Sequence, residues 1–262
     1  MAVLVIDVGN SSTTLACYDR ERISRAVAIQ GGLKADPRRC AAAVRKIVAG
    51  RRRFDGAMLA SVVPAVNAGW KRLVLREAGL KTATLTASIR LPMRLDYAHP
   101  ETTGADRLAD IAGALARYGA PALVVDIGTA VTYDAVSADG RFFTGAIGPG
   151  PDIMARALYE YTALLPRLDW WRRPAPTVPK NTDGAMRFGI EAAFCGTLRE
   201  TVLRLLPLIG PKARLIATGG FAERFAPPLN MDFVVDPDLT LFGIGWLFDY
   251  QRRAPCSPTP MP

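Results

Sequence analysis

Val3-Leu4-Val5-Ile6-Asp7-Val8-Gly9-Asn10-Ser11-Ser12-Thr13-Thr14 is the stretch that decides the fold of this chain. An apolar, β-branched run leads to an Asp, an apolar residue and a Gly, and small hydroxyl residues follow. That order is typical of a strand, a tight turn and a second strand. Glycine adopts the backbone conformations that tight turns require. The stretch therefore predicts a β-hairpin with a carboxylate beside its turn.

The same pattern returns later, as Ala122-Leu123-Val124-Val125-Asp126-Ile127-Gly128-Thr129-Ala130-Val131-Thr132. Asp7 and Asp126 are separated by about one domain length, and 262 residues suit two domains of about 100–150 residues each. Duplication is the economical explanation. We expect a first domain over residues 1–118, a second over 119–250 and a disordered, proline-rich tail over 251–262.

Periodicity along the rest of the chain alternates between helical and strand-like. Helices are predicted over residues 41–48, 70–78, 106–118, 152–161 and 182–206, and strands over 57–63, 82–86 and 214–218. Gly145–Gly150 is predicted to be a glycine-rich turn. Alternating strands and helices indicate an α/β protein.

Composition supports two hydrophobic cores, because 50% of the residues are hydrophobic and 22% are charged, which excludes a disordered chain. The net charge of +9 has two interpretations. One is binding of nucleic acid, a membrane or an anionic substrate, and the other is a compositional bias towards arginine. No basic stripe interleaved with aromatic residues is present, so we expect neither a nucleic-acid nor a membrane partner.

Cysteine and histidine usage argues against a zinc site. Four cysteines lie far apart, without paired spacing, and His99 is the single histidine. The amino end enters a strand-like run with no signal-peptide order, and no apolar run reaches the ~18 residues that a membrane helix needs. We expect a cytoplasmic protein with reduced thiols.

Two Asp-x-Gly hairpins are suited to holding one nucleotide. Backbone N–H groups and small hydroxyls in a glycine turn approach phosphate oxygens closely, and a neighbouring carboxylate holds a cation that binds phosphate. A single Asp-x-Gly turn is more often a plain structural loop. A third motif, Thr218-Gly219-Gly220, either ends a strand or lets the backbone lie against a nucleotide's sugar and base. The three motifs together predict nucleotide binding.

This three-motif arrangement resembles the superfamily of acetate kinase, sugar kinases, Hsp70 and actin. Within it, residues 2 to about 247 resemble the type III pantothenate kinases. The motifs that carry the likeness are Asp7-Val8-Gly9-Asn10, Ser61–Pro64, Gly104-Ala105-Asp106-Arg107, Asp126–Ala130, Gly145–Gly150, Ala157-Leu158, Thr162–Pro166, Asn181-Thr182, Ala217–Gly220 and Leu239–Gly243. The resemblance implies duplicated actin-like (ribonuclease-H-type) α/β domains with a nucleotide cleft between them.

The resemblance also implies an activity, which is transfer of the ATP γ-phosphate to the primary hydroxyl of pantothenate, the first step of coenzyme A synthesis. Asp106 would accept the proton, and pantothenate would be bound by Tyr97, Gly104, Ala105, Asp106, Arg107 and Thr182. ATP would contact Asp7, Val8, Gly9, Asn10, Ser11, Ser12, Thr13, Thr14 and Thr129. Mg²⁺ near Asp7 and a monovalent cation, K⁺ or NH₄⁺, at Asp126 complete the implied cofactors.

Departures from the family pattern leave alternatives open. Ser11-Ser12 stand where the family usually has Thr-Asn, and Ala146 replaces a usual glycine. Taken by itself, Asp106 is also explained as an acidic residue at a helix start. A kinase for another hydroxy or carboxylic acid, and a catalytically silent accessory protein, are the rival functions.

A homodimer with a shared pantothenate site is a further implication of the resemblance. The predicted helix from Thr182 adds support from the residues themselves. Its apolar residues spread too widely for one stripe, which indicates burial on more than one side; they are Met186, Phe188, Ile190, Phe194 and Leu198. Burial within the second domain alone is the alternative.

Overall fold

A computed structural model describes residues 2–49, 53–168 and 175–253. The chain forms two compact units. Among the described residues, the first comprises 2–49, 53–119, 140–142 and 238–253, and the second comprises 120–139, 143–168 and 175–237. The disordered tail expected over 251–262 begins too early, because Gln251 and Arg252 are the last residues of a helix. Residues 254–262 lie outside the described residues.

The first unit is built around the first predicted hairpin. Its main sheet contains β1 (Ala2–Val8), β2 (Ser12–Asp19), β3 (Arg22–Gln30), β4 (Gly56–Ser61) and β5 (Thr82–Thr84). Their spatial order is β3-β2-β1-β4-β5. The central strand β1 pairs antiparallel with β2 and parallel with β4. The predicted hairpin is therefore confirmed, and it lies at the centre of the sheet.

The second unit repeats this topology. Its strands are β7 (Ala122–Ile127), β8 (Ala130–Val136), β9 (Arg141–Pro149), β10 (Arg214–Thr218) and β11 (Phe233–Val235), in the order β9-β8-β7-β10-β11. The central β7 again has an antiparallel neighbour, β8, and a parallel one, β10. The second sheet carries one further strand, β6 (Arg94–Leu95), beside β9. The shared order of the other five strands, and a central strand with one antiparallel and one parallel neighbour in both sheets, confirm the duplicated α/β fold.

Helices connect and cover the strands. They are α1 (Gly32–Ala35), α2 (Pro37–Val48), α3 (Pro64–Ala78), α4 (Ala105–Tyr118), α5 (Pro151–Glu160), α6 (Thr182–Ile209), α7 (Ala222–Phe225) and α8 (Leu239–Arg252). Each predicted helix is present. Two begin earlier than predicted because proline, whose fixed φ suits a first helical position, opens α2 and α3.

The glycine-rich segment Gly145–Gly150 is not a turn, so that prediction is wrong. Residues up to Pro149 continue β9, and Gly150 precedes α5. Strand β9 lies beside β8 in the sheet, and its ladder hydrogen bonds outweigh the weak strand preference of glycine. Strand β6 (Arg94–Leu95) pairs in parallel with Arg141–Phe142, which belong to the first unit.

The carboxyl-terminal helix α8 belongs to the first unit by its contacts. It packs on α4 and on β1. Gly243 makes the close approach to α4 feasible, because a Cβ there would overlap the Ala109 carbonyl oxygen. Compact units of the structure thus differ from the boundaries expected from sequence, since residues 238–253 return to the first unit. That return is a long-range packing event with no local sequence signal.

Each unit has its own hydrophobic core. In the first, Leu4, Ile6 and Leu59 of the sheet pack with α2 and α3, where Trp70 is fully buried. In the second, Val125 and Ile127 pack with α6 through Phe194 and Leu198. Within the described ranges, none of the helices combines the length and apolarity that crossing a bilayer requires.

Candidate active site

Two carboxylates that are far apart in sequence come close together in the first unit. Asp7 is the second-last residue of β1, and Asp106 lies in the first turn of α4. Burial and the neighbouring charge of Asp106 raise the pKa of the half-buried Asp7 carboxyl to about 7. Both causes disfavour a second negative charge at this place. A cation bound next to Asp7 would offset the cost of ionising this carboxyl.

Glycine at position 104 leaves room for the Asp106 side chain. A Cβ on Gly104 would overlap Asp106 Oδ1 and would touch Val62. The same carboxylate oxygen accepts a hydrogen bond from the Arg107 backbone N–H at 2.8 Å. Asp106 is therefore oriented by one N–H of the first helical turn, that of Arg107, although the N-cap position itself belongs to Gly104.

Arg107 and Tyr97, both predicted to bind substrate, contact each other. The Arg107 guanidinium donates to Tyr97 Oη at 3.4 Å and lies 5.8 Å from the centre of that ring. Phe142 completes the cluster, with its ring 4.7 Å from the Tyr97 ring and 5.2 Å from the guanidinium. Sequence reasoning missed Phe142, because its part in the cluster depends on strand pairing between distant segments.

The first loop is shaped by hydrogen bonds of its own backbone. Gly9 N–H donates to Ser12 O at 3.0 Å, and Ser11 O accepts from Gly31 N–H at 2.7 Å. Asn10 and Ser11 are exposed, whereas Thr13 is buried with its hydroxyl against Gly32. Of the residues predicted to contact ATP, Val8 and Thr13 thus have buried side chains, and their backbone is what the loop offers to a ligand.

Asp126 has the same position on β7 as Asp7 has on β1. Its Oδ1 lies against Gly219, whose φ of +90° and lack of a side chain both require glycine, since a Cβ would overlap that oxygen. The Ile127 carbonyl lies beside the same place, and Gly150 packs on the carbonyl oxygens of Gly128 and Thr129. The second hairpin and the Thr218-Gly219-Gly220 motif therefore meet around Asp126.

Two buried hydroxyls flank Asp126. Thr132 on β8 and Thr218 on β10 are both in register with it. Within the described residues, neither hydroxyl has a hydrogen-bond partner. Residues in register on adjacent strands project to the same face of the sheet. A carboxylate between two unpaired oxygens suits a cation or a polar ligand better than an apolar one.

The remaining predicted pocket residue, Thr182, is the exposed first residue of α6. The Asn181 side chain caps that helix by accepting from Gly184 N–H at 2.8 Å. Asp152, in the first turn of α5, was not predicted, and burial raises the pKa of its carboxyl to about 6. A single half-buried acid next to a glycine-rich segment carries no sequence signal that could have found it.

Comparison with known proteins identifies the family. The family model described as type III pantothenate kinase matches residues 3–204. The chain belongs to the type III pantothenate kinase family. A family member from Brevibacillus brevis is 31% identical over 94% of this chain and 98% of its own length. Another, from Akkermansia muciniphila, is 38% identical over 73% of this chain and 77% of its own length.

Solved structures extend the likeness to the fold. Component A of (R)-2-hydroxyglutaryl-CoA dehydratase from Acidaminococcus fermentans superposes with a TM-score of 0.57 at 12% identity. The match covers 97% of this chain and 100% of that one. At this identity the likeness concerns the fold alone, and it agrees with the duplicated topology of the two sheets.

Asp7, with the charge of Asp106 nearby, fits a divalent ion of the kind that this kinase family implies. Among the described residues, no group of three or more His, Cys, Asp or Glu side chains is placed to hold a metal. Mg²⁺ needs no such group, because it retains several waters and binds through one or two carboxylates together with substrate phosphates. The unfavourable proximity of the two carboxylates is the observation that matches such an ion.

A pH dependence follows from the Asp7 carboxyl. The folded state keeps its proton to about pH 7, whereas an unfolded Asp loses it near 3.8, so wild-type stability falls as pH rises through that window. In the absence of Mg²⁺ and nucleotide, Asp7→Asn should therefore stabilise the protein at pH 8 by about 3–4 kcal/mol more than at pH 4. Urea unfolding at both pH values measures the difference. A constant difference between wild type and variant would contradict the assignment.

Proposed function

We propose that the protein is a pantothenate kinase, which transfers the γ-phosphate of ATP to the primary hydroxyl of pantothenate and releases 4'-phosphopantothenate and ADP. The observation that carries the proposal is the family match, together with the meeting of Asp7 and Asp106 in one unit. An assay of ATP consumption against a panel of small hydroxy acids, with pantothenate included, tests it. Turnover with another acid and none with pantothenate would contradict it. A cytoplasmic location and the absence of a nucleic-acid partner stay predictions.

In this reaction, the pantothenate hydroxyl oxygen forms a bond to the γ-phosphorus while the bond from that phosphorus to the β,γ-bridging oxygen breaks. The hydroxyl proton passes to the Asp106 carboxylate. Phosphoryl transfer has a loose transition state, so the proton leaves late and a positioned carboxylate suffices as the base. The hydrogen bond from Arg107 N–H and the space above Gly104 supply that positioning.

Charge compensation is the second requirement. Mg²⁺ bound with ATP would supply the positive charge that neutralises the phosphates. Asp7 is the residue proposed to hold the Mg²⁺ ion. Asp106 is near enough for its negative charge to raise the pKa of Asp7, and the same charge would attract the ion. The exposed Asn10 and Ser11 and the backbone N–H groups of the first loop are proposed to face the phosphates.

Asp106→Asn tests the proposed base. The change keeps the shape of the side chain and removes the proton acceptor, so turnover should fall by about 10²–10⁴-fold with nucleotide affinity little altered. Steady-state kinetics and ADP binding by calorimetry provide the two measurements. Asp36→Asn, which alters the carboxylate at the start of α2 in the same unit, is the matched control and should keep wild-type turnover. Near-normal turnover of Asp106→Asn would rule out its role as base.

We further propose that Asp126 binds a monovalent cation, K⁺ or NH₄⁺. Support comes from the oxygens around it: the Asp126 carboxylate, the nearby Ile127 carbonyl, and the hydroxyls of Thr132 and Thr218, which lack partners within the described residues. One charged oxygen among several neutral ones suits a large ion of single charge. The ion would bring positive charge to the second hairpin, next to Thr129.

Replacement of K⁺ by Na⁺ or by a bulky organic cation should lower the rate on the order of tenfold or more, because the charge or its fit is lost. Asp126→Ala should remove whatever dependence exists. Initial rates in matched chloride salts are the measurement, and Asp139→Ala controls for loss of an exposed acid in the same unit. Rates that do not depend on the cation would count against the site.

A homodimer is proposed as the working form. In α6, Met186, Ile190, Phe194 and Leu198 are buried within the chain, whereas Phe188 is 47% exposed. Other large apolar side chains of the second unit are also exposed: Ile147, Ile153, Tyr159, Tyr161 and Leu164, the last at 91%. Such an accumulation is typical of a protein interface. A second copy of the chain is its proposed partner.

If the dimer also shares its sites, Thr182 of one subunit faces Asp106 of the other. Mixing Asp106→Asn with Thr182→Arg subunits should then recover about a quarter of wild-type activity, since half of randomly mixed dimers carry one intact site of two. Activity after mixing and refolding, with light scattering on a sizing column, provides the measurement. An active monomer would contradict the dimer, and a dimer without recovery would contradict the shared site.

A further inference from the structure

Phe142 lies beside the proposed substrate residues because two distant segments pair. Strand β6 runs parallel to the start of β9, with Leu95 in register with Phe142. The Asp96 N–H donates to Phe142 O at 2.9 Å, and the Arg94 N–H donates to Gly140 O at 3.0 Å. Tyr97 follows this short ladder directly. The backbone of the Tyr97 segment is therefore held in place by the residues around Phe142.

The side chains repeat this arrangement. Phe142 is fully buried, and its ring is tilted at 41° to that of the half-buried Tyr97. The Arg107 guanidinium is within 6 Å of both ring centres, where the ring quadrupole attracts a cation. A free arginine side chain has many rotamers and loses entropy when it binds a carboxylate. An aromatic ring that already fixes the plane of the guanidinium lowers this entropic cost of binding.

The ion pair between Arg141 and Asp96, next to this cluster, contributes less to its stability than the buried Phe142 ring does. Arg141 and Asp96 approach to 3.2 Å, but their side chains are 38% and 54% exposed. Exposed pairs of this kind contribute little, because water screens them. Among the side chains of the 140–142 segment, the buried ring is therefore the one in close contact with both Tyr97 and Arg107.

We propose that Phe142 is a positioning residue for substrate binding, which sets the orientation of Tyr97 and Arg107 towards the pantothenate carboxylate and hydroxyls. This inference rests on the proposed function of the site. It assigns no contact between Phe142 and the substrate. Phe142 would act on the substrate only through the side chains of Tyr97 and Arg107. Its substitution should therefore change the KM for pantothenate and leave the KM for ATP unchanged.

Phe142→Leu tests the proposal, because leucine fills most of the buried volume but offers no ring face. KM for pantothenate should rise about tenfold, which corresponds to about 1.4 kcal/mol. Both kcat and the KM for ATP should stay within about twofold. Phe142→Met has an unbranched side chain of similar volume. It should likewise raise the KM for pantothenate without changing kcat or the KM for ATP, and it replaces the leucine variant if that one does not fold.

Phe242→Leu is the matched control. Phe242 is also a buried ring of the first unit, with an aromatic neighbour, Tyr18, at 5.9 Å and the Arg117 guanidinium 3.8 Å from its centre. Its loss should cost similar stability in urea unfolding and leave the KM for pantothenate unchanged. An equal rise in KM for both variants would mean a general packing effect and would overturn the inference.

The outcomes separate the inference from the proposed function. Wild-type protein that phosphorylates pantothenate, with a Phe142→Leu variant of unchanged KM, overturns the inference alone. Wild-type protein without pantothenate turnover overturns the proposed function and the inference with it. A selective tenfold rise in KM for pantothenate in Phe142→Leu, absent from Phe242→Leu, supports both.

Discussion

Burial of the Asp7 carboxyl near the charge of Asp106 is the constraint on which the first unit depends. Burial is the larger cause of the raised pKa of Asp7 and the charge of Asp106 is the smaller one, and both disfavour the ionised carboxylate. The surrounding elements hold the two residues in place. Asp7 is held in the central strand, with paired strands on both sides, and Asp106 is held by α4, which packs so closely on α8 that Gly243 touches the Ala109 carbonyl. The carboxyl-terminal helix thus supports the site although it contributes no proposed site residue.

Duplication supplied the same frame twice, and side chains at equivalent positions differ. Asp7 has Thr14 and Ala60 in register, whereas Asp126 has Thr132 and Thr218. The second unit therefore has one more hydroxyl beside its carboxylate than the first has. A carboxylate with a second negative charge nearby suits an ion of higher charge, whereas a single carboxylate among neutral oxygens suits an ion of lower charge. This difference is the physical basis for the two separate cation roles that we propose.

The substrate site that we propose in the first unit combines polar and aromatic groups. Asp106 and Arg107 are consecutive residues of one helix, so their spacing is set by the helix itself. Tyr97 belongs to a segment with little regular structure and depends on Phe142 for its position. The chemistry is thus built on a rigid element, and the more adaptable part of the pocket on a short strand ladder.

Local pattern by itself determined the two hairpins, their carboxylates and most helices, because hydrophobic periodicity and turn residues act over a few positions. The Asp-x-Gly repeats at Asp7 and Asp126 also predicted the duplication. Only the tertiary structure decided that α8 joins the first unit, that Gly145–Pro149 extends a strand, and that Phe142 packs against Tyr97 and Arg107. These features arise from contacts between segments distant in sequence, whose energy depends on the packing of the whole unit and leaves no trace in local periodicity.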